Sequence, residues 1–228
     1  MIRSYPRLES DARCDVVVLG AGITGALVAQ HLAEAGIDMI VLDRRDVASG
    51  STAASTALLQ YEIDIPLAEL TKLRGAELAS RAYLACRGAV DRLGQLADRL
   101  PDDVGFARKA SLYLGVKKRD RRLLREECEL RRAIGLSVEY LEEDEIAARF
   151  PFRRPAALLT RDAAQVDPYA FAHALLRDAT ARGARVFDRT EVESIDATTA
   201  GVTIRTTSEC AVHAKHIVFA PATKPRRI

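Results

Sequence analysis

The chain has 228 residues, 48% hydrophobic and 29% charged, an ordinary balance for a globular protein that excludes a disordered, collagen-like or low-complexity chain. Lys and Arg number 34 against 32 Asp and Glu, a net charge of +2, so composition gives no support for binding nucleic acid. Cys14, Cys86, Cys128 and Cys210 are far apart and form no Cys-x-x-Cys pair; zinc-site spacing is absent, and reduced thiols in a cytoplasmic protein are expected. No segment reaches the roughly 18 apolar residues of a membrane span, and 1–13 lacks the apolar stretch of a secretory signal.

In chain order, Asp15 to Leu19 is a short β-branched apolar run that reads as a buried parallel strand. Gly20 to Gly25 is a glycine-rich turn, and Ala26 to Ala35 carries apolar residues at helical spacing with Gly36 as its stop. Met39 to Leu42 is a second apolar strand ending at Asp43, which completes a β-α-β unit. Asp46 to Thr56 is a polar loop. Leu67 to Leu100 reads as mostly helical, Ser111 to Val116 as a strand, and Arg119 to Ile134 as a charged amphipathic helix with mixed signs and a solvated face. Glu142 to Phe150 reads as a short helix and Ala156 to Thr160 as a strand. Asp167-Pro168 opens a helix to about Arg182, with an N-cap residue followed by proline at the first helical position. Arg185 to Phe187, Val192 to Ile195, Val202 to Thr206 and Ile217 to Ala220 read as strands.

Gly20-Ala21-Gly22-Ile23-Thr24-Gly25 is a Gly-x-Gly-x-x-Gly run between a strand and a helix, with Asp43 ending the next strand. That context is what the dinucleotide fingerprint requires. Gly20 permits the turn, Gly22 lets backbone approach a pyrophosphate, and Gly25 lets the helix pack closely on the strand. The helix start near Ile23 and Thr24 offers N–H donors to phosphate. Asp43 suits ribose hydroxyls and disfavours a 2′-phosphate. The fingerprint alone leaves FAD and NAD both open.

Asp43-Arg44-Arg45 leads into Val47 to Thr56, where the Ser/Thr-rich loop resembles the FAD-dependent oxidoreductases of the D-amino-acid oxidase, glycine oxidase and sarcosine oxidase family. Gly50 to Asp64 is also similar to the corresponding loop of glycerol-3-phosphate dehydrogenases. Ala110 to Leu114, Asp167-Pro168-Tyr169, Gly183 to Val186 and Glu191 to Glu193 resemble further family segments. The resemblance implies an α/β fold: a Rossmann-like FAD-binding domain interrupted by part of a mixed α+β substrate domain. Its parts are expected at 13–105, 106–166 for the insertion, 167–220 for the return, and 221–228 as an atypical tail. FAD is the implied cofactor, with Gly20, Ala21, Gly22, Ile23, Thr24, Gly25, Asp43, Arg44, Ser49, Ser51, Thr52, Val192 and Ala220 as its contacts. The implied substrate is a small amine, amino acid or hydroxy compound.

Family members are usually much longer, and 221–228 fits no family element. Restoring one base near codon 220 can be made to read Ala-Thr-Gly-Tyr-Glu, so a one-base deletion is one expectation, with a cut or independent short chain as the other. The alternative function is a catalytically incomplete FAD-binding fragment, or a module whose missing half comes from a partner chain or oligomer. No catalytic residue is assigned. His213 and His216 are three apart at a strand start with no third ligand, so no metal site is expected, and His31 and His173 are read as ordinary helix residues.

Overall fold

The computed structural model describes residues 4–220; the tail 221–228 singled out above lies outside them. In chain order the elements are β1 (Ala12–Leu19), α1 (Ile23–Glu34), β2 (Met39–Leu42), β3 (Leu58–Leu59), α2 (Leu67–Arg74), α3 (Ala76–Arg99), β4 (Ala107–Leu114) and α4 (Asp120–Ala133). They continue with β5 (Glu139–Glu142), α5 (Glu143–Arg149), β6 (Ala156–Gln165), α6 (Pro168–Ala181), β7 (Arg185–Phe187), β8 (Val192–Thr198), β9 (Gly201–Thr206) and β10 (Ala211–Phe219). They group into two compact units. One takes 4–56, Leu100–Val104 and 167–220 of the described residues; the other takes Ala57–Arg99 and Gly105–Val166.

The first unit is built on a six-stranded sheet, ordered β7-β2-β1-β10-β9-β8. β1 is central and parallel to both β2 and β10, and β2 is parallel to β7. β10, β9 and β8 run antiparallel. Central strands are apolar on both faces because both are covered: Val17, Val18, Ile40 and Val41 have no solvent exposure. One face packs with Leu8, Ile204 and Val212. The helices α1 and α6 pair with each other, and Ala26 and Ala29 of α1 and Ala172 and Ala179 of α6 are fully buried. Register levels the strand ends: Leu19 lies opposite both Leu42 and Phe219. The residues that follow, Gly20, Asp43 and Ala220, therefore emerge side by side at the carboxyl edge. α6 begins as its sequence implies, with the Asp167 carboxylate accepting the N–H groups of Tyr169 and Ala170 at 2.9 Å, a cap that contributes about 1 kcal/mol.

The second unit has a sheet ordered β3-β6-β4, with β5 also paired to β6. It differs from the sequence reading in four respects. The helix expected over 67–100 is broken at Gly75, whose φ of +82° no α-helical residue adopts. The short strands β3 and β5 carry no alternation long enough to be recognised. The stretch 57–99, expected with the first part of the chain, falls in the same compact unit as 105–166, because Tyr61, Leu67, Ala79 and Tyr83 share one core cluster with Leu136. The fourth difference is on α4, whose face is not simply solvated: Glu127 and Arg131 are 3% and 2% exposed.

That last correction has a clear cause. The Glu127 carboxylate accepts the first two α2 amides, Leu67 N–H at 2.8 Å and Ala68 N–H at 2.9 Å. These are orphan donors of a helix start, and Pro66 before them has no side-chain acceptor. Arg131 Nε donates to Glu127 at 2.7 Å, and its Nη1 reaches Glu62 at 3.3 Å. Its guanidinium also lies 5.6 and 5.5 Å from the Tyr61 and Tyr83 ring centres. Two carboxylates thus share one buried cation. Burial pushes the Glu62 carboxyl above its ordinary value, against the pull of Arg131. In β10, His213 and His216 lie inside the strand; a spacing of three puts them on opposite faces, and His213 Nδ1 lies 3.1 Å from Thr203 Oγ1.

Arg131→Met is expected to cost about 3–5 kcal/mol in urea unfolding, since it strands two buried carboxylates. A Glu62 carboxyl raised in the folded state takes up a proton on folding once the pH exceeds the unfolded value, near 4.5, so this group's contribution to stability falls as pH rises through the window above 4.5. Glu62→Gln is expected to remove that part of the slope; an unchanged slope in urea midpoints across pH would contradict it.

Candidate cofactor site

A cleft of about 710 Å³ opens at the carboxyl edge of β1, β2 and β10, within the first unit. Its floor is the turn from β1 into α1. Gly20 sits at φ +103° and donates its N–H to Leu42 O at 2.8 Å. A Cβ on Gly25 would lie 1.8 Å from the Gly20 carbonyl oxygen, so no side chain fits there while α1 starts where it does. A Cβ on Gly22 would meet Thr52 Oγ1 at 3.0 Å, at the point where backbone faces the cleft.

The first turn of α1 leaves N–H groups with no carbonyl four residues back. Gly22 caps the helix without a side-chain acceptor. Thr52, buried in the 46–56 loop, supplies one from outside: its Oγ1 accepts the Ile23 N–H at 3.0 Å. Gly22, Thr24, Ser51 and Thr52 line the cleft around this helix start. Amides and helix dipole together favour an anion there.

Asp43 stands at the other end. Its Oδ2 accepts the Ala21 N–H at 2.7 Å and its Oδ1 the Arg45 N–H at 2.9 Å. Each carboxylate oxygen can accept more than one hydrogen bond, so capacity remains for a ligand's hydroxyls. The peptide on either side is also tied: Asp43 N–H donates to Phe187 O at 3.0 Å and Thr190 N–H to Asp43 O at 2.8 Å.

Of the residues expected from sequence, Gly20, Gly22, Ile23, Thr24, Asp43, Arg44, Ser51, Thr52, Val192 and Ala220 all border the cleft. Ala21 and Gly25 shape it from behind; both are buried. Ser49 is outside the lining, its hydroxyl turned to the Asp46 carbonyl at 2.7 Å. Arg45, Thr190, Glu191, Glu193 and Thr207 line it without having been foreseen. Arg45 neighbours the recognised Asp43-Arg44, and Glu191 and Glu193 flank the expected Val192; Thr190 and Thr207, beside the start of β8 and the end of β9, are announced by no local pattern. The lining contains no His, Cys, Tyr or Lys among the described residues; its charged groups are the carboxylates of Asp43, Glu191 and Glu193 and the guanidinium groups of Arg44 and Arg45. The residues present fit a dinucleotide's adenosine diphosphate: amide donors for an anion at the α1 start, a hydroxyl acceptor at Asp43, and Arg44 and Val192 on the same lining.

Asp43→Asn is expected to weaken ADP binding by about 10–100-fold in isothermal titration, because an amide sets an N–H₂ against one of two backbone donors. Gly25→Ala is expected to destabilise the chain by about 3 kcal/mol or more, measured by thermal unfolding.

Comparison with known proteins places the chain in a family. The profile of the FAD dependent oxidoreductase family matches residues 15–223. A glycine oxidase of Bacillus licheniformis is 31% identical over 213 residues, covering 91% of this chain and 54% of the relative. Among solved structures, glycine oxidase from Geobacillus kaustophilus superposes with a TM-score of 0.74 at 24% identity, covering 92% of this chain and 55% of that one. The L-alpha-glycerophosphate oxidase from Mycoplasma pneumoniae, with FAD bound, superposes with a TM-score of 0.71 at 18% identity, covering 90% and 53%. At such identities the structural likeness is one of fold. The chain spans about half the length of these relatives. With its matched segment running through nearly all of the sequence and the glycine turn, helix start and Asp43 in place, the chain belongs to the FAD-dependent oxidoreductase family of which D-amino-acid oxidase and glycine oxidase are members.

Proposed function

We propose that the cleft holds the adenosine diphosphate half of FAD and that the protein serves a flavin-dependent oxidation of a small amine, amino acid or hydroxy compound. The observation that carries this reading is the pairing of the α1 start with Asp43 across one cleft. FAD, when bound, supplies the hydride acceptor for such an oxidation. The chain's own part is positional. Amides of Gly22 and Thr24 neutralise the pyrophosphate, with Ser51 beside them and Thr52 holding the Ile23 amide. Asp43 takes the ribose hydroxyls, Arg44 flanks them, and Val192 faces the adenine. Glu191 and Glu193 add negative charge near the ribose end, which disfavours a 2′-phosphate. The substrate range follows from the glycine oxidase and glycerophosphate oxidase to which the chain is similar.

A second reading is favoured by the lining itself. Its described residues are those that would hold the adenosine diphosphate half of FAD, so the cleft by itself supplies binding. The chain then acts as an FAD-binding module whose substrate pocket comes from further polypeptide, in a partner chain or a second copy. A cytoplasmic location fits four free cysteines. Burial pushes the Cys14 thiol up to about 11, which keeps it unreactive. No helix of the described residues is long and apolar enough to cross a membrane.

The test is purification followed by absorption spectroscopy and identification of any nucleotide released on denaturation. FAD, in the preparation or after reconstitution, is the expected result. NAD in its place, or no affinity for FAD, contradicts the proposal. Turnover with amines and hydroxy acids separates the enzyme from the module.

A further inference from the structure

The bonds that hold the Asp43 end of the cleft lead away from it, to the first described residues. The family profile begins at residue 15, so the segment 4–8 falls outside it. That segment is nevertheless built in: Tyr5 and Leu8 are 4% and 3% exposed. Its partner is the turn that follows β7. Asp188 N–H donates to Pro6 O at 3.1 Å. Leu8 N–H donates to Thr190 Oγ1 at 3.1 Å, and that hydroxyl donates to Asp188 O at 2.9 Å. The buried Asp188 carboxylate accepts the Tyr5 N–H at 3.4 Å and Arg189 Nε at 2.8 Å. Arg189 Nη2 donates to Tyr5 O at 2.5 Å and to Ser4 Oγ at 3.4 Å.

Arg189 is at φ +47°. A non-glycine residue keeps a left-handed conformation where its surroundings over-determine it, and here the surroundings are the arm, Asp188 and Asp46, whose Oδ1 lies 3.6 Å from Arg189 Nε. The same turn then grips the cofactor end. Arg189 N–H donates to Arg45 O at 3.1 Å, Thr190 N–H to Asp43 O at 2.8 Å, and Phe187 O accepts the Asp43 N–H at 3.0 Å. Arm, turn and β2 end therefore form one hydrogen-bonded stack, with the Asp43 carboxylate at its far side.

We infer that the arm 4–8 is a positioning element of the cofactor site: acting through the 187–190 turn, it sets where Asp43 and Arg45 stand, and so sets the affinity for the adenosine end of the ligand. This rests on the reading of the cleft as an FAD site. Arm and turn residues other than Thr190 do not line the cleft, so the arm acts at a distance and touches no ligand.

The test compares the full chain with a variant lacking residues 1–8, titrated with ADP and with FAD well below the melting temperature. Arg189→Met, which keeps the arm but cuts its side-chain tie, is measured alongside. The expected result is roughly tenfold weaker binding of ADP in both variants, restored in the shortened chain by a peptide of residues 1–8. A merely structural arm lowers the melting temperature and leaves the ADP dissociation constant unchanged; that outcome overturns the inference. Where the shortened chain does not fold, Arg189→Met decides in the same two ways beside Asp46→Ala, which removes only the 3.6 Å contact of the same guanidinium with Asp46; an Asp46→Ala chain that loses as much ADP affinity overturns the inference. A parent chain that binds neither ADP nor FAD overturns the FAD reading and this inference together, whereas a parent that binds both while the variants match it overturns the inference alone.

Discussion

The closest constraint in the molecule is the approach of Gly25 to the carbonyl oxygen of Gly20, where a Cβ would fall at 1.8 Å. It fixes how tightly β1 turns into α1, and hence where the first turn of the helix points. β1 is the central parallel strand, so the turn is anchored on both sides: β2 and β10 end level with it. The helix start, Asp43 and Ala220 meet at one edge because of that register. A wider turn would lift α1 off the sheet, separate its amides from Asp43, and disturb the contact between α1 and α6.

Carboxylates that satisfy remote backbone amides recur in both units. In the first, Asp43 accepts the N–H groups of Ala21 and Arg45, tying the glycine turn to the end of β2. In the second, Glu127 accepts those of Leu67 and Ala68, tying α4 to the start of α2. A buried carboxylate is costly to desolvate unless such donors are present. Asp43 is half-exposed and keeps capacity for a ligand; Glu127 is enclosed with Arg131 and is structural. One type of interaction thus builds a site in one unit and a core in the other. The cleft lies in the first, lined by the amides of the α1 start and by the carboxylates of Asp43, Glu191 and Glu193.

The β-α-β unit was legible because each of its signals is local: a β-branched run, three glycines at fixed spacing, an acidic residue at a strand end. The Asp167-Pro168 helix start was legible for the same reason. Ser49 lies outside the lining; a Ser/Thr-rich loop has no period to say which hydroxyl faces the cleft, and its own turn captures that one. Glu127 and Arg131 read as surface charges because pairs four apart are usually solvated. What buries them, the uncapped start of α2, lies 60 residues earlier in sequence. Thr190 and Thr207 reach the cleft through sheet order, which no short window of sequence contains. The arm 4–8 was invisible for a related reason: its partners lie more than 180 residues away.

The central claim is that the β1–α1 turn and Asp43 are the two ends of one FAD-binding cleft. A crystal structure of the chain soaked with FAD tests it most directly. The account predicts pyrophosphate density against the Gly22 and Thr24 amides and ribose hydroxyls on the Asp43 carboxylate. FAD density elsewhere on the molecule, with this cleft empty, would contradict it.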